Sequence, residues 1–138
     1  ILEQSAIVFN SKKSGIVELG GGVPKNTAQQ TGPLLDQILR QNDGGQDYIL
    51  QITDARPDTG GLSGATLQEG KSWGKIQDAH HDMITVYADT TIAFPILALY
   101  VISNQKPRKP KRIYKKISKY YDNLKKEFLG IPEKFYEK

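Results

Sequence analysis

Ser72-Trp73-Gly74-Lys75 is the most unusual tetrapeptide in this chain and holds its only tryptophan. A lysine becomes a nucleophile when a desolvated pocket or a neighbouring cation lowers its pKa, because only the neutral amine attacks a carbonyl or imine. The indole face of Trp73 offers an apolar wall for an ammonium or alkylammonium group, worth roughly 0.5–2 kcal/mol. Glu69, six residues before Lys75, carries a carboxylate able to pair with a cationic substrate. The plainer reading is a core tryptophan beside a surface lysine.

Three other places hold chemistry or turn structure. Gly20-Gly21-Gly22 follows an apolar run and would let backbone approach a phosphate or ribose, although a tight turn explains it equally well. Val86-Tyr87-Ala88-Asp89 puts a carboxylate at the end of an expected strand, where it either accepts from ribose hydroxyls or caps the next helix. Arg56-Pro57-Asp58-Thr59-Gly60-Gly61 reads as a loop in which Asp54 and Asp58 bind an amine or cap turns.

These residues need elements to position them. Ala6–Phe9, Gly15–Leu19, Tyr48–Thr53 and Met83–Ala88 are short apolar runs bounded by turn residues, and are predicted as strands. Leu34, Leu35, Ile38 and Leu39 recur at helical spacing, with Pro33 in the first turn and Asn42-Asp43-Gly44-Gly45 closing the helix. A short helix is predicted from near Ala65. Thr90 or Thr91 would cap a buried helix running through Ile102, with Pro95 in its first turn. After Pro107 and Pro110, Ile113, Ile117, Tyr120 or Tyr121, Leu124 and Phe128 form one stripe of a final amphipathic helix. Strands alternating with helices predict an α/β fold with a mainly parallel sheet.

Composition narrows the function classes. The 138 residues suffice for one core. The longest apolar run, Ile92–Ile102, has 11 residues, too few for a membrane span. Without cysteine there is no disulfide scaffold, thiolate metal site or cysteine nucleophile. His80 and His81 are adjacent, so they cannot form a spaced ligand pair on one helix face, and no metal site is expected.

The net charge of +4 conceals a division. Residues 1–105 hold 7 Lys/Arg against 11 Asp/Glu, which suits a cationic substrate. Residues 106–126 hold 10 Lys/Arg and one acid, either a solvated helix face or a surface for an anionic partner. The acidic body, and a basic segment lacking a groove of aromatic residues, argue against nucleic acid. The chain divides into 1–105 and a basic helix and tail at 106–138. It begins Ile1-Leu2-Glu3 without methionine, the start expected of a fragment, a processed product or one subunit of a split protein.

Together the motifs resemble the deoxyhypusine synthase family. The matching residues are Leu19-Gly20-Gly21-Gly22-Val23-Pro24-Lys25, Asp47-Tyr48, Ser63-Gly64-Ala65, Glu69 with Ser72-Trp73-Gly74-Lys75-Ile76, Val86-Tyr87-Ala88-Asp89 and Phe94-Pro95. The run from about Ala6 to Ile102 looks like the carboxyl-terminal half of such an enzyme, in its bacterial deoxyhypusine synthase-like branch. The resemblance implies a Rossmann-like fold, incomplete without an amino-terminal portion. It also implies NAD as cofactor, a cytoplasmic homotetramer and transfer of the aminobutyl group of spermidine. In that scheme spermidine is oxidised to an imine, the lysine matching Lys75 takes the four-carbon unit, and 1,3-diaminopropane leaves. An acceptor amine then receives the unit. The acceptor is a lysine of the hypusine-bearing translation factor or, in homospermidine synthesis, putrescine.

The same resemblance makes Lys75 catalytic and puts Glu69, Trp73, Asn26, Asp58, Gly60, Gly61 and Leu62 at the polyamine. It puts Gly20, Gly21, Gly22, Thr53, Asp54, Ala88, Asp89 and Thr90 at NAD. Two departures bear on the amine. Many family members have histidine where this chain has Asn26, and an acid where it has Leu62. Loss of an acceptor there alters how one amine end is held, and Asp58, four residues before Leu62, would compensate.

Overall fold

A computed structural model describes residues 1–41, 45–76 and 83–130. The expected helix stop at Asn42–Gly44 and the His80-His81 pair lie outside the described residues, as does the tail beyond Gly130. The elements run α1 (Leu2–Phe9), β1 (Gly15–Leu19), α2 (Val23–Gln29), α3 (Thr31–Pro33), a π-helical turn (Leu34–Ile38) and β2 (Tyr48–Thr53). Two 3-10 turns (Pro57–Thr59 and Leu62–Gly64) lead to α4 (Leu67–Ser72) and β3 (Met83–Tyr87). Then come α5 (Thr90–Asn104), a 3-10 turn (Ile113–Lys115) and α6 (Ile117–Leu129). The fold is α/β, with a three-stranded parallel sheet in the order β1-β2-β3 flanked by helices.

The register sorts the sheet into two faces, since paired residues share a side. Ile16, Ile49 and Met83 align on one, as do Glu18, Gln51 and Thr85. This face is covered: Ile49 packs with Leu67 and Ile76 against Met83, and Glu18 and Gln51 are buried. The other face carries Val17-Leu50-Ile84 and Leu19-Ile52-Val86. Ile52 is buried there, but Val17 and Ile84 are each 56% exposed. Parallel sheets are ordinarily covered on both sides, and here this apolar face is left open among the described residues.

Several expectations are corrected. Ala6–Phe9 is the second half of helix α1, not a strand. A four-residue apolar run fits either state, and here Ala6 is buried against Leu35 and Leu124, a packing only a helix lying on α6 achieves. Asn10 ties that pair: its Nδ2 donates to the carbonyls of Ala6 (2.8 Å) and Tyr120 (3.0 Å), and Asn123 donates to its Oδ1. The helical stretch before β2 starts at Val23, with Pro24 in its first turn, so Pro33 falls inside the run and interrupts its hydrogen bonding. Helix α5 is capped by Asp89, the capping alternative expected for that carboxylate: its Oδ1 accepts from Thr91 N and Oγ1, so neither Thr90 nor Thr91 is the cap. Its Pro95 lies in the second turn, and none of its residues is buried. A helix apolar all round needs cover on every side, and the described residues reach it mainly from β2. Finally, Ile113 sits in a separate turn because Arg112 takes a left-handed φ of 47°, and α6 begins at Ile117.

Candidate active site

Helix α4 is built by local sequence. Thr66 caps it, accepting from Glu69 N at 3.2 Å, and its hydroxyl lies 3.5 Å from Glu69 Oε1. Ser/Thr at the cap with Glu three residues on is a capping box, and it fixes where the Glu69 carboxylate stands. At the other end Gly74 adopts φ +69°, a left-handed conformation that favours glycine. Gly74 N then donates to Lys71 O and Lys75 N to Gly70 O, both at 3.0 Å. This pair is the Schellman termination, and it turns the chain sharply after Trp73. The glycine of Ser-Trp-Gly-Lys therefore lets Trp73 and Lys75 leave the helix end toward one space.

That space is a cavity of about 460 Å³ between α2 and α4. Lys75 Nζ donates to Asn26 Oδ1 of α2 at 2.6 Å. Lys25 Nζ donates to Ala65 O, also at 2.6 Å. Glu69, Trp73 and Leu62 complete the wall, and Gln37 Nε2 holds the Trp73 carbonyl at 3.3 Å. Trp73 is 67% exposed, so the core-tryptophan reading fails: the indole stands at the mouth. Burial pushes the Lys25 ammonium below the usual lysine pKa, and the Lys75 charge adds to this, while Glu18 and Glu69 oppose it. Glu18 shifts the other way, raised chiefly by burial against the pull of its Gln29 hydrogen bond and of Lys25.

The structure thus gathers Asn26, Leu62, Glu69, Trp73 and Lys75 around one cavity. Asp58 is elsewhere, on the surface, accepting from Arg56 Nε at 3.1 Å. Gly60 and Gly61 stand in open space beside it and do not line the cavity. Sequence reasoning named Lys25 in the glycine motif without a role and passed over Gln29; the two lie one helical turn apart on α2 and both line the cavity. Their four-residue spacing was the available signal.

The other candidates cluster at the carboxyl ends of the strands, the edge where open α/β sheets place ligands. Gly20–Gly22 follow β1, Thr53 and Asp54 follow or end β2, and Ala88–Thr90 follow β3. Gly20 has open space around it, whereas a Cβ on Gly21 would stand 2.6 Å from Ser63 Cα, so Gly21 serves the chain's own packing. Thr53 is buried and its Oγ1 is taken by Ala55 N. Asp54 and Ala88 line a second cavity of about 530 Å³ with Arg56 and Tyr87. Asp89 is fully exposed, and the Thr91 hydroxyl and N–H hold its carboxyl below the usual range. Among the described residues no group of acids and histidines could hold a metal ion, and no helix is long and apolar enough to cross a membrane.

Residues 1–101 match the family model for deoxyhypusine synthase. The chain is 45% identical to a deoxyhypusine synthase-like protein of Nostoc sp. strain PCC 7120 over 141 residues, covering 99% of this chain and 37% of that protein. It is 48% identical to a deoxyhypusine synthase-like protein of Nostoc punctiforme (93% and 34% covered). A protein of that description in Cyanothece sp. strain PCC 7425 is 43% identical (91% and 32% covered). The chain spans about a third of the length of these curated relatives.

Proposed function

Since the chain belongs to the deoxyhypusine synthase family, we propose that it supplies the lysine and amine pocket of an enzyme moving an aminobutyl group from spermidine to an amine acceptor. The observation that carries this reading is Lys75 Nζ, held on Asn26 in a cavity walled by Trp73 and Glu69.

The residues do distinct work. Glu69 pairs with a primary ammonium of the polyamine. Trp73 screens the carbon chain from water and faces the cationic end. Asn26 accepts one Lys75 N–H and so directs the nitrogen lone pair of the neutral amine. That lone pair attacks the carbon of the oxidised amine, forming a C–N bond, and 1,3-diaminopropane departs with the displaced nitrogen and a proton. The butyl unit then sits on Lys75 as an imine. An incoming amine adds to the same carbon, and Lys75 leaves as the free amine. NAD, when bound, supplies the hydride acceptor for the first oxidation and the hydride for the final reduction. Open Gly20 and the Asp54–Ala88 cavity fit a nucleotide cofactor beyond the strand ends.

The remainder of the enzyme, amounting to two thirds of the relatives' length, covers the open sheet face and α5, on the same chain or a partner chain. The assembled protein is a cytoplasmic homotetramer in this reading. The test uses that assembled protein with NAD and spermidine labelled in its butyl moiety, with putrescine and the hypusine-bearing factor offered together. Label in the factor makes it a deoxyhypusine synthase. Label in homospermidine makes it a polyamine-forming enzyme that changed acceptor at Asn26 and Leu62. No transfer to either amine overturns the reading.

A further inference from the structure

Gln29 is only 3% exposed, yet it lines the amine cavity. Its Nε2 donates to Glu18 Oε1 at 2.6 Å. Glu18, on β1, is 5% exposed, and its Oε2 is sealed without a partner among the described residues. An ionised carboxylate only accepts, so the amide above it must turn its NH₂ inward. The amide oxygen is thereby turned away from Glu18. It lies 3.6 Å from where a Cβ on Gly70 would sit, and Gly70 lines the same cavity. No hydrogen bond among the described residues reaches that oxygen, and unlike Glu18 Oε2 it is not sealed off. Lys25 Nζ donates to Ala65 O, and among the described residues it makes no hydrogen bond to this oxygen.

We propose that Gln29 Oε1 accepts a hydrogen bond from a substrate ammonium group, and that Glu18 is the positioning residue that holds the amide in this orientation. Among the described residues the cavity wall carries two lysines, Lys25 and Lys75, and one carboxylate, Glu69. A neutral acceptor at Gln29 adds a second hold on a polyamine, and the Glu18 charge beneath it offsets Lys25. This deepens the reading above and rests on it for the identity of the amine.

The test measures spermidine binding to the full-length protein by calorimetry without cofactor, alongside thermal melting. Gln29→Met keeps the volume and removes the oxygen, and should weaken binding about tenfold, the scale of one hydrogen bond to a charged group. Glu18→Gln frees the amide to flip and should weaken binding several-fold, in a protein at least as stable as the wild type. The exchange Glu18→Gln with Gln29→Glu keeps the buried hydrogen bond and turns a carboxylate oxygen to the cavity. It should restore wild-type affinity or better. Undiminished binding by Gln29→Met, or an exchange that fails to recover what Glu18→Gln loses, overturns the proposal. Trapping of the Lys75 adduct is scored separately: its absence in a wild-type protein that binds spermidine counts against the transfer reading and leaves this one standing.

Discussion

Lys75 Nζ and Asn26 Oδ1 meet at 2.6 Å across 49 residues of chain. Asn26 stands in the helix that follows the glycine run, and Lys75 just past the end of α4. The hydrogen bond therefore joins the two motifs into one site. Asn26→Leu removes the acceptor at similar volume. The butyl adduct should still form on Lys75, about tenfold more slowly, in single-turnover trapping. An unchanged rate would show that Asn26 does not aim the amine.

Lys75→Ala should abolish the borohydride-trappable butyl adduct, and Lys71→Ala, one turn earlier, should leave it intact. Peptide mapping of the trapped protein reads both. An adduct persisting without Lys75 would move the nucleophile elsewhere, with Lys25 next in line, because it faces the same cavity.

Leu62 lies on the cavity wall, half exposed, and Glu69 is the one lining carboxylate among the described residues. Leu62→Asp places a second negative charge there. It should shift preference toward the longer, more highly charged polyamine by about tenfold in kcat/KM. Competition between putrescine and spermidine measures it. Unaltered selectivity would put the amine ends away from Leu62.

Gly74→Ala forces an L side chain to φ +69°. The cost is about 1 kcal/mol, a fall of several degrees in Tm. Because the same turn aims Lys75, adduct formation should drop more than stability does. A variant with lowered Tm and full adduct rate would separate the turn from the chemistry.

Glu18 gives a pH signature. Burial raises its folded pKa above the ordinary carboxyl value. A group that binds its proton more tightly when folded subtracts from stability above that raised pKa, and the loss disappears as pH falls below the unfolded value. Glu18→Gln should therefore melt above wild type in mild alkali, with the gap closing in acid. Melting curves over that range decide it: a gap constant with pH would mean that packing, not ionisation, separates the two.

Local sequence decided a good deal. Tyr48–Thr53 and Met83–Tyr87 carry β-rich apolar runs and fold as strands. Thr66 and Glu69 specify the start of α4, and Gly74 its end, so the placing of Lys75 at a sharp turn is written within ten residues. These features depend on hydrogen bonds between near neighbours, which residue types alone can satisfy. The rest needed tertiary structure. Ala6–Phe9 has no periodicity to choose helix over strand, and burial against Leu35 and Leu124 made the choice. The apolar content of Ile92–Ile102 correctly indicated a helix, but exposure is set by what else packs there, and α5 lies open. Asp58 is chemically apt for an amine, yet its loop pairs it with Arg56 on the surface. Glu18, Lys25 and Gln29 are unremarkable as letters. Only the tertiary packing buries all three, seats the Lys25 amine on Ala65 O and pairs the Gln29 amide with Glu18, because burial and hydrogen-bond satisfaction depend on the whole chain.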